Sequence, residues 1–443
     1  MQFSELNLNT PLINALNDLD ITRPTTIQEK AYPVIMSGRD MVGIAQTGTG
    51  KTIAYLLPCL RQWKFTPEKH PQILIVVPTR ELVVQVVEQV QKLTTYMTIR
   101  VAGVYGGENM IRQAPLIFDG LDVLVATPGR LLDFALNGTL KLKLVKRFII
   151  DEVDEMLNLG FRPQLIRVMD LLPKKRQNLM FSATMTPEIQ NFIADYFIDP
   201  LHIEAARTGT PLENIKQTGI KVPNFNTKIN LLEFLLKNEP GFSKVLLFVS
   251  TKKLADDVYN RISAIFPDIV GVIHSNKSQN NRFEALKSFN DNKLRVLIAT
   301  DIVARGLDFD DITHVVNFDI PDEPENYMHR IGRTGRVDKK GVAVSFITKD
   351  DTEYRESIQQ LMGKKIPMMR MPEDVVVSTE LADCEIPQIQ NGNSVAFIAK
   401  REIHGPAFHE KKDKNKKVNM KVRRKDALKQ KSKKPKTRGQ KKK

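Results

Sequence analysis

The stretch Ala45-Gln46-Thr47-Gly48-Thr49-Gly50-Lys51-Thr52 decides the fold of this chain. It follows a short apolar run at 41–44 and precedes an apolar segment at 53–60 that can begin a helix. A strand, a loop of small residues and a helix start form a phosphate cradle, because backbone N–H groups and the helix dipole attract an anion. Lys51 can then reach the β- and γ-phosphates, and the Thr52 hydroxyl can ligate Mg²⁺.

The stretch departs from the standard phosphate-loop pattern at its first position, where Ala45 replaces glycine. An ordinary turn rich in glycine and threonine is the alternative interpretation. The Gly-Lys-Thr run between a strand and a helix favours a nucleoside triphosphate site over that turn.

An apolar strand at 148–150 ends in two carboxylates, Asp151 and Glu152. A phosphate-loop nucleotidase needs acids beside its metal. Asp151 can hold Mg²⁺ through water, and Glu152 can orient or deprotonate the attacking water. Two acids at a strand end can also belong to a solvated turn, but the phosphate loop upstream favours the catalytic interpretation.

Three arginines recur at three-residue spacing beside glycines in the second half of the chain: Arg330, Arg333 and Arg336. A surface salt-bridge cluster is the alternative. Arginines supplied by a second domain can stabilise the charge on a transferring phosphoryl group. The spacing therefore predicts a composite site between two domains.

Apolar, strand-like runs alternate with helical patterns in two series along the chain. Near-continuous apolar strands that alternate with helices predict parallel sheets covered on both faces. The clearest runs lie at 72–77, 122–126, 148–150 and 179–181, and then at 244–249, 270–273, 296–299, 314–317 and 342–346. Each series has about the size of one domain. The predicted fold class is α/β, with two parallel-sheet domains in tandem.

The net charge of +15 over 443 residues is unevenly placed. Residues 411–443 hold 18 lysines and arginines and two aspartates, a net charge of +16, so the rest of the chain carries −1. Such a low-complexity basic tail is expected to be disordered. It can be simply solvated or can anchor nucleic acid, and both interpretations stay open.

Several classes of protein are excluded by composition. The two cysteines, Cys59 and Cys384, do not make a disulfide framework or a metal cluster. The apolar runs are too short to predict a membrane span, and the polar N-terminus has no signal-peptide pattern. We therefore predict a cytoplasmic protein that does not bind a membrane.

The ordered set of motifs over about residues 1–360 resembles the DEAD-box ATP-dependent RNA helicases of superfamily 2. The resemblance implies two RecA-like domains, ATP and Mg²⁺ as cofactors, and single-stranded RNA or short RNA duplexes as partners. It also implies a catalytic set, which is Lys51, Asp151, Glu152, Arg333 and Arg336. The implied nucleotide-binding set is Phe3 and Gln28 of the adenine-recognising motif, the stretch Ala45 to Thr52, and Asp308.

The same resemblance assigns residues to RNA binding and to coupling between the domains. The implied coupling set is Asp154, Ser182, Thr184, Asp301 and His329. The implied RNA-gripping set is Arg80, Gly106, Gly107, Thr127, Arg130, Thr251, Gln279, Arg282 and Thr300. Hydroxyls, arginines and close-approach glycines are what recognition of a sugar-phosphate backbone requires. The segment 274–279 is most similar to the bacterial RhlE branch of the family.

Two positions depart from the family pattern. Val153 replaces alanine in the Asp-Glu-Val-Asp form of motif II, and Asp20 stands where the adenine-recognising motif has glycine. Two extra methyl groups in a packed loop could cost ~1–3 kcal/mol unless neighbours adjust. Val153 keeps a second interpretation open, an ATP-gated RNA clamp or assembly platform with little unwinding. A DNA-directed helicase is a third.

The sequence predicts five segments in order. A first RecA-like, ATP-binding domain at 1–205 is followed by a linker at 206–217 and a second RecA-like domain at 218–362. An extension with little regular structure at 363–410 precedes the basic, RNA-binding tail at 411–443. The protein is predicted to be monomeric, with RNA-processing, ribosome-assembly or RNA-decay proteins as possible partners.

Overall fold

The structure, a computed structural model, describes most of the chain as far as Glu385. The described residues are 2–46, 48–205, 214–301, 309, 311–335, 340–382 and 385. Thr47, Asp308, Arg336 and the basic tail lie outside the described residues, and the predictions made for them are therefore untested.

The first domain is built on a seven-stranded parallel sheet. Its strands are β1 (Met41–Ile44), β2 (Ile73–Val76), β3 (Val101–Val104), β4 (Val123–Ala126), β5 (Arg147–Ile150), β6 (Gln177–Ser182) and β7 (Leu201–Glu204). Its helices are α1 (Thr10–Asp18), α2 (Thr26–Ser37), α3 (Lys51–Arg61), α4 (Arg80–Leu93), α5 (Met110–Phe118), α6 (Pro128–Leu136), α7 (Val153–Asn158), α8 (Arg162–Leu171) and α9 (Pro187–Tyr196).

Alternate residues of these strands belong to two separate hydrophobic clusters. Ile73 and Ile75 of β2 pack in one cluster with α2, α3 and α4, whereas Leu74 and Val76 pack in the other with α6, α8 and α9. Both faces of the sheet are therefore buried, which explains why the strands are apolar throughout rather than alternating in polarity.

The second domain repeats this architecture with seven parallel strands. Its strands are β8 (Ile215–Lys221), β9 (Val245–Phe248), β10 (Val270–Ile273), β11 (Val296–Ala299), β12 (His314–Asn317), β13 (Gly341–Ile347) and β14 (Met368–Met369). Its helices are α10 (Phe225–Asn238), α11 (Lys252–Ile265), α12 (Gln279–Asn290), α13 (Pro324–Ile331) and α14 (Thr352–Met362). The predicted fold class of two tandem parallel-sheet domains is thus confirmed.

The strand order brings the predicted site motifs together. In the first sheet the order is β3-β4-β2-β5-β6-β1-β7, so β5, β6 and β1 are neighbours. The phosphate loop follows β1, the acid pair follows β5, and Ser182 ends β6. Because carboxyl ends of parallel strands meet at one edge, ligands bind there in open α/β sheets.

The boundary of the second domain differs from the sequence-based expectation. The predicted linker runs to residue 217, but β8 begins at Ile215 and pairs with β13 from its first residue. The strand was concealed because Lys216 and Gln217 are consecutive polar residues, so the run 215–220 lacks the alternation of apolar and polar residues that indicates a strand.

The extension was predicted to have little regular structure, but β14 lies within it and pairs with β8. The rest of its described part is irregular but packed. A segment that we call the strap, residues 371–382, runs along α10 and buries Val375 and Ala382 in the core of the second domain. Asparagine amides of α10 and its N-cap residue donate to strap carbonyls: Asn224 to Ser378 at 2.6 Å, Asn230 to Val376 at 2.7 Å and Asn226 to Glu380 at 2.8 Å. Within the described residues, none of the helices has both the length and the apolar character to cross a bilayer.

Candidate nucleotide and RNA site

The phosphate loop has the backbone conformation that an anion cradle needs. Gly48 and Gly50 adopt φ of +80° and +85°, a left-handed region that glycine enters without strain. Gly50 caps α3, whose first residue is Lys51. A strand, a tight turn and a helix N-terminus thus follow one another as the sequence predicts.

Lys51 is the polar group that most needs a ligand. Its side chain is buried, and its Nζ has no hydrogen-bond partner among the described residues. An unpaired buried ammonium is costly. Its charge lowers the pKa of both Asp151 and Glu152, against the effect of burial. A phosphate group in the cradle would satisfy this orphaned cation.

The acid pair lies at the end of β5, as predicted. Asp151 accepts the backbone N–H of Glu152 on Oδ1 at 3.0 Å and the Tyr55 hydroxyl on Oδ2 at 3.0 Å. Glu152 adopts φ +54°, a left-handed conformation that is strained for a residue with a side chain. Strain of this kind clusters at functional sites, so the geometry supports a catalytic role for the pair.

Burial tunes the acidity of both carboxyls. It raises the pKa of Glu152 to about 7, although Lys51 and Arg333 act in the opposite direction. Burial also raises the pKa of Asp151. A carboxylate with a pKa near 7 can both accept and release a proton at neutral pH, which is what general base catalysis requires.

The adenine-recognising motif is tied directly to the phosphate loop. Gln28 accepts the backbone N–H of Thr25 at 2.9 Å and donates to the Gly50 carbonyl at 3.1 Å. The Thr25 hydroxyl donates to the Thr49 carbonyl at 2.8 Å. Gln28 keeps one further amide N–H for a ligand. Phe3 is buried in the hydrophobic core, so the structure places its ring among apolar side chains rather than at an open face.

Asp154, in the first turn of α7 two residues after the acid pair, contacts the segment Ser182-Ala183-Thr184 at the end of β6 and approaches the second domain. Its Oδ2 accepts the backbone N–H groups of Ala183 at 3.0 Å and Thr184 at 3.1 Å. His329 Nε2 lies 3.9 Å from the same oxygen. Ser182 Oγ accepts from the Thr184 N–H, so four of the five predicted coupling residues lie in one network.

The three arginines of the second domain have different surroundings. Arg330 is buried and forms a two-pronged ion pair with Asp301, at 2.6 and 2.7 Å. It is therefore a structural residue of the second domain, in a buried ion pair rather than the surface salt-bridge cluster that was the alternative. Arg333 is buried near Glu152 and lowers the pKa of that carboxyl, whereas Arg336 lies outside the described residues. The composite-site interpretation rests on Arg333.

Four predicted RNA-gripping residues meet at one place between the domains. Arg80 Nη1 donates to Gln279 Oε1 at 2.9 Å, and Arg282 donates to the same oxygen. A Cβ on Gly107 would overlap the Arg80 guanidinium, so this glycine makes room for it. Arg282 also pairs with Glu81 at 3.0 Å in a buried position.

The other predicted RNA-gripping residues are more dispersed. Arg130 is buried and donates to the Glu108 carbonyl at 2.8 Å and to Gln113 at 3.0 Å, so it holds the loop after β3 rather than facing solvent. Thr127 accepts the Gly106 N–H at 3.3 Å in the same region. On the second domain, Thr251 is exposed at the start of α11 and Thr300 is buried at the end of β11.

The two departures from the family pattern are accommodated locally. Val153 is fully buried in a hydrophobic cluster of the first domain. Asp20 adopts φ +56°, the conformation for which glycine is usual. Aspartate is one of the few residues with a side chain that enters this region readily. The turn before Pro24 is therefore compatible with Asp20.

Sequence reasoning missed two groups at the site. Tyr55 was not considered, although it lies four residues after Lys51 and therefore on the same face of α3. Glu81 was given no role either, and its pairing with Arg282 joins residues 201 positions apart. The role of Tyr55 could have been found from helical spacing, whereas nothing in the local sequence indicates the partner of Glu81.

The fold and the site together define a two-domain phosphate-loop nucleoside triphosphatase of the helicase type. The patterns of two protein families match the chain: DEAD/DEAH box helicase at residues 25–192 and helicase conserved C-terminal domain at residues 227–338. The chain belongs to the DEAD-box ATP-dependent RNA helicases, and it is an RNA-dependent ATPase.

Relatives and solved structures extend over both domains. The chain is 36% identical over 374 residues to the DEAD-box ATP-dependent RNA helicase CshA of Bacillus subtilis, covering 84% of this chain and 74% of that protein. A CshA of Listeria monocytogenes is also 36% identical, over 371 residues, with 84% and 71% covered. Saccharomyces cerevisiae Dbp5 bound to RNA and ADP BeF3 superposes with a TM-score of 0.75 at 31% identity, covering 84% and 96% of the two chains.

Proposed function

We propose that RNA lies across both domains of this chain, that ATP with Mg²⁺ occupies the phosphate loop, and that hydrolysis resets the enzyme after a short duplex is locally separated. One observation carries the proposal. Groups of the second domain, His329 and Arg333, already lie against the acid cluster Asp151, Glu152 and Asp154 of the first. Catalysis in this geometry requires the two domains to come together.

The residues around the phosphate loop fit MgATP. Mg²⁺, when bound, would neutralise charge on the β- and γ-phosphates. Thr52 would ligate it, and Asp151 would hold it through water. The described residues contain no cluster of three or more histidine, cysteine or acidic side chains that could cage a metal. This suits Mg²⁺, which keeps several waters and uses few protein ligands.

The chain's own groups then perform the chemistry. Lys51 binds phosphate oxygens and so meets the anion that its buried ammonium lacks. Glu152 accepts a proton from the attacking water, because its raised pKa makes it a stronger base than an ordinary carboxylate. Arg333 stabilises the charge that develops on the transferring group. Arg336 is proposed as a second finger from sequence alone.

RNA is proposed to meet the cluster of Arg80, Gly107, Gln279 and Arg282. In this structure the two arginines share one acceptor, Gln279. Burial lowers the pKa of Arg282, Glu81 opposes that effect, and the like charge of Arg80 lowers the pKa further. A phosphate group would relieve that repulsion. Saccharomyces cerevisiae Dbp5, to which the chain is similar, has been solved bound to RNA, which supports RNA as a ligand.

The finer assignments are proposals of the same kind. We infer a cytoplasmic, monomeric protein that works beside RNA-processing, ribosome-assembly or RNA-decay proteins. The composition of the chain and its basic tail support this inference. Membership of the RhlE branch is a hypothesis that rests on the segment 274–279, since the relatives compared above are named CshA.

Two alternative functions lead to different results in one experiment. A clamp with little unwinding would hydrolyse ATP with RNA but fail to displace a short strand. A DNA-directed enzyme would be stimulated by DNA as well as RNA, whereas an RNA enzyme uses 2′-hydroxyls to discriminate. ATPase stimulation by RNA and DNA of equal length, paired with duplex displacement, tests the proposal. Stimulation by RNA alone, with displacement, is the expected result.

A further inference from the structure

Tyr55 is a buried residue to which the mechanism above gives no part. It lies on α3, one turn after Lys51, with none of its surface exposed. Its hydroxyl donates to Asp151 Oδ2 at 3.0 Å. The Thr52 side chain is also a hydrogen-bond partner of this hydroxyl. Tyr55 therefore touches both residues proposed to hold Mg²⁺.

The ring of Tyr55 is held in place by the side chain of Phe181. It packs on Phe181 with ring centroids 5.3 Å apart. Phe181 in turn fills space that exists because Gly43 has no side chain, since a Cβ there would lie 2.9 Å from the Phe181 ring. A packed side chain in a fixed orientation can position a hydrogen-bond partner with little freedom lost on ligand binding.

The two oxygens of Asp151 have separate donors. Oδ1 accepts the Glu152 N–H, and Oδ2 accepts the Tyr55 hydroxyl. Each oxygen keeps a lone pair for a metal-bound water. Because both donors are held by the fold, the plane of the carboxylate is set before any cation arrives.

We propose that Tyr55 is a positioning residue for the cation, which orients Asp151 and Thr52 so that Mg²⁺ can bind together with nucleotide. This inference rests on the proposed function, because it assumes that these two residues face the metal. Tyr55 acts through its hydroxyl on these two residues. Partners of metal-binding groups typically change metal affinity by 10–100-fold when removed.

The test is a Mg²⁺ titration of fluorescent ADP binding to the full chain, compared between wild type and Tyr55→Phe. The substitution deletes one hydroxyl and keeps the ring on Phe181. We expect the Mg²⁺ concentration for half-maximal binding to rise by about tenfold, with ADP affinity in EDTA unchanged. In an Asp151→Asn background most of this shift should disappear, since the effect is routed through that carboxylate.

The chain offers a matched control in Tyr96, whose hydroxyl donates to Asp18 at 2.7 Å on the exposed surface of the same domain. Tyr96→Phe removes the same kind of pair far from the site and should leave the titration unchanged. Phe181→Leu keeps the Tyr55 hydroxyl but loosens its support, and should shift the titration in the same direction by less.

Three results would overturn the inference. A lowered thermal midpoint in Tyr55→Phe with an unchanged Mg²⁺ titration would show a structural role alone. A lower Mg²⁺ requirement would show that the hydroxyl competes with the cation. ADP binding to wild type that is indifferent to Mg²⁺ would refute the proposed metal site itself, and the role of Tyr55 with it, so the two failures are distinguishable.

Discussion

Glu152 shows at the scale of one residue how the fold holds a proposed catalytic group in an unfavourable environment and conformation. The carboxylate is buried, its pKa is raised to about 7, and its backbone is left-handed. Neither burial of an ionisable group nor positive φ favours folding. Both are tolerated because β5 and α7 on either side of the residue are packed into the core.

Glu152→Gln should bind ATP and Mg²⁺ as wild type does but hydrolyse ATP at least about 100-fold more slowly, because the group that accepts the proton is lost. RNA should be retained longer in the presence of ATP. Single-turnover hydrolysis and RNA dissociation measure both effects. Lys51→Ala is the comparison variant, since it should weaken nucleotide binding itself. Unchanged turnover in Glu152→Gln would remove Glu152 from the mechanism.

The stability of the metal-free protein should depend on pH through the same residue. Lys51 and Arg333 favour ionised Glu152, whereas burial, Asp151 and Asp154 oppose it more strongly. Because the folded-state pKa is raised, the protonated form stabilises the fold, and this contribution is lost as pH rises through about 7. Glu152→Gln, a permanent mimic of that form, should therefore raise the thermal midpoint more at pH 8 than at pH 5. Melting curves in EDTA check this, and an equal gain at both values contradicts it.

Val153→Ala should lower the free energy of unfolding by roughly 1–3 kcal/mol, because Val153 is fully buried and a small cavity would remain. If the larger side chain instead restrains the loop, the same change should accelerate hydrolysis. We expect the loss of stability with similar turnover. Denaturant unfolding and steady-state ATPase rates, measured on the same preparations, separate the two outcomes.

At the scale of helices and strands, the local sequence pattern was sufficient to predict the features that depend on neighbouring residues. Ala45 to Thr52 and the acids after β5 were predicted because a strand end or a helix start is written in neighbouring residues. Arg330 was harder to place. Its spacing matched that of Arg333, yet its role depends on Asp301, 29 positions away. The strap was likewise expected to be irregular, but its packing on α10 depends on long-range contacts.

Arg330→Met should destabilise the second domain by roughly 3–5 kcal/mol, near the lower end because Asp301 is partly exposed. It would leave Asp301 and the Asp319 carbonyl, which accepts from Arg330 at 2.6 Å, without their donor. Arg330→Lys keeps the charge but loses the two-pronged geometry. The thermal midpoint should be highest for wild type, lower for Arg330→Lys and lowest for Arg330→Met. Normal stability combined with lost hydrolysis would instead make Arg330 a catalytic finger.

At the scale of the whole molecule, the positive charge is concentrated in the C-terminal tail, away in sequence from the proposed catalytic groups. Residues 411–443 carry +16, whereas the other residues carry −1. Contacts between single-stranded RNA and basic side chains release counterions. The logarithm of the binding constant therefore falls with the logarithm of the salt concentration, with a slope of about −0.7 per phosphate contact. The catalytic groups described above all lie before residue 340. We therefore expect long-range attraction to RNA to come from the tail and the chemistry of ATP from the rest of the chain.

Deleting residues 411–443 should make the affinity for RNA less dependent on salt concentration. It should also raise the RNA concentration needed for half-maximal ATPase activity. The maximal rate at saturating RNA should be unchanged, because the catalytic groups remain. RNA-stimulated ATPase over a salt series measures both quantities. A tail with glutamine in place of every lysine and arginine is the matched control and should behave like the deletion. Equal salt slopes with and without the charges would assign the tail to another role.

The strap along α10 has a consequence for how this chain can change over generations. Asparagine amides hold it through main-chain carbonyls, which every amino acid carries. Val375 and Ala382 are buried in the core, and Met371 packs against it partly buried. Substitutions at the strap's exposed positions should therefore be tolerated in large number. A single inserted or deleted residue would move every carbonyl away from its asparagine, so the length of the strap should be far more constrained than its sequence.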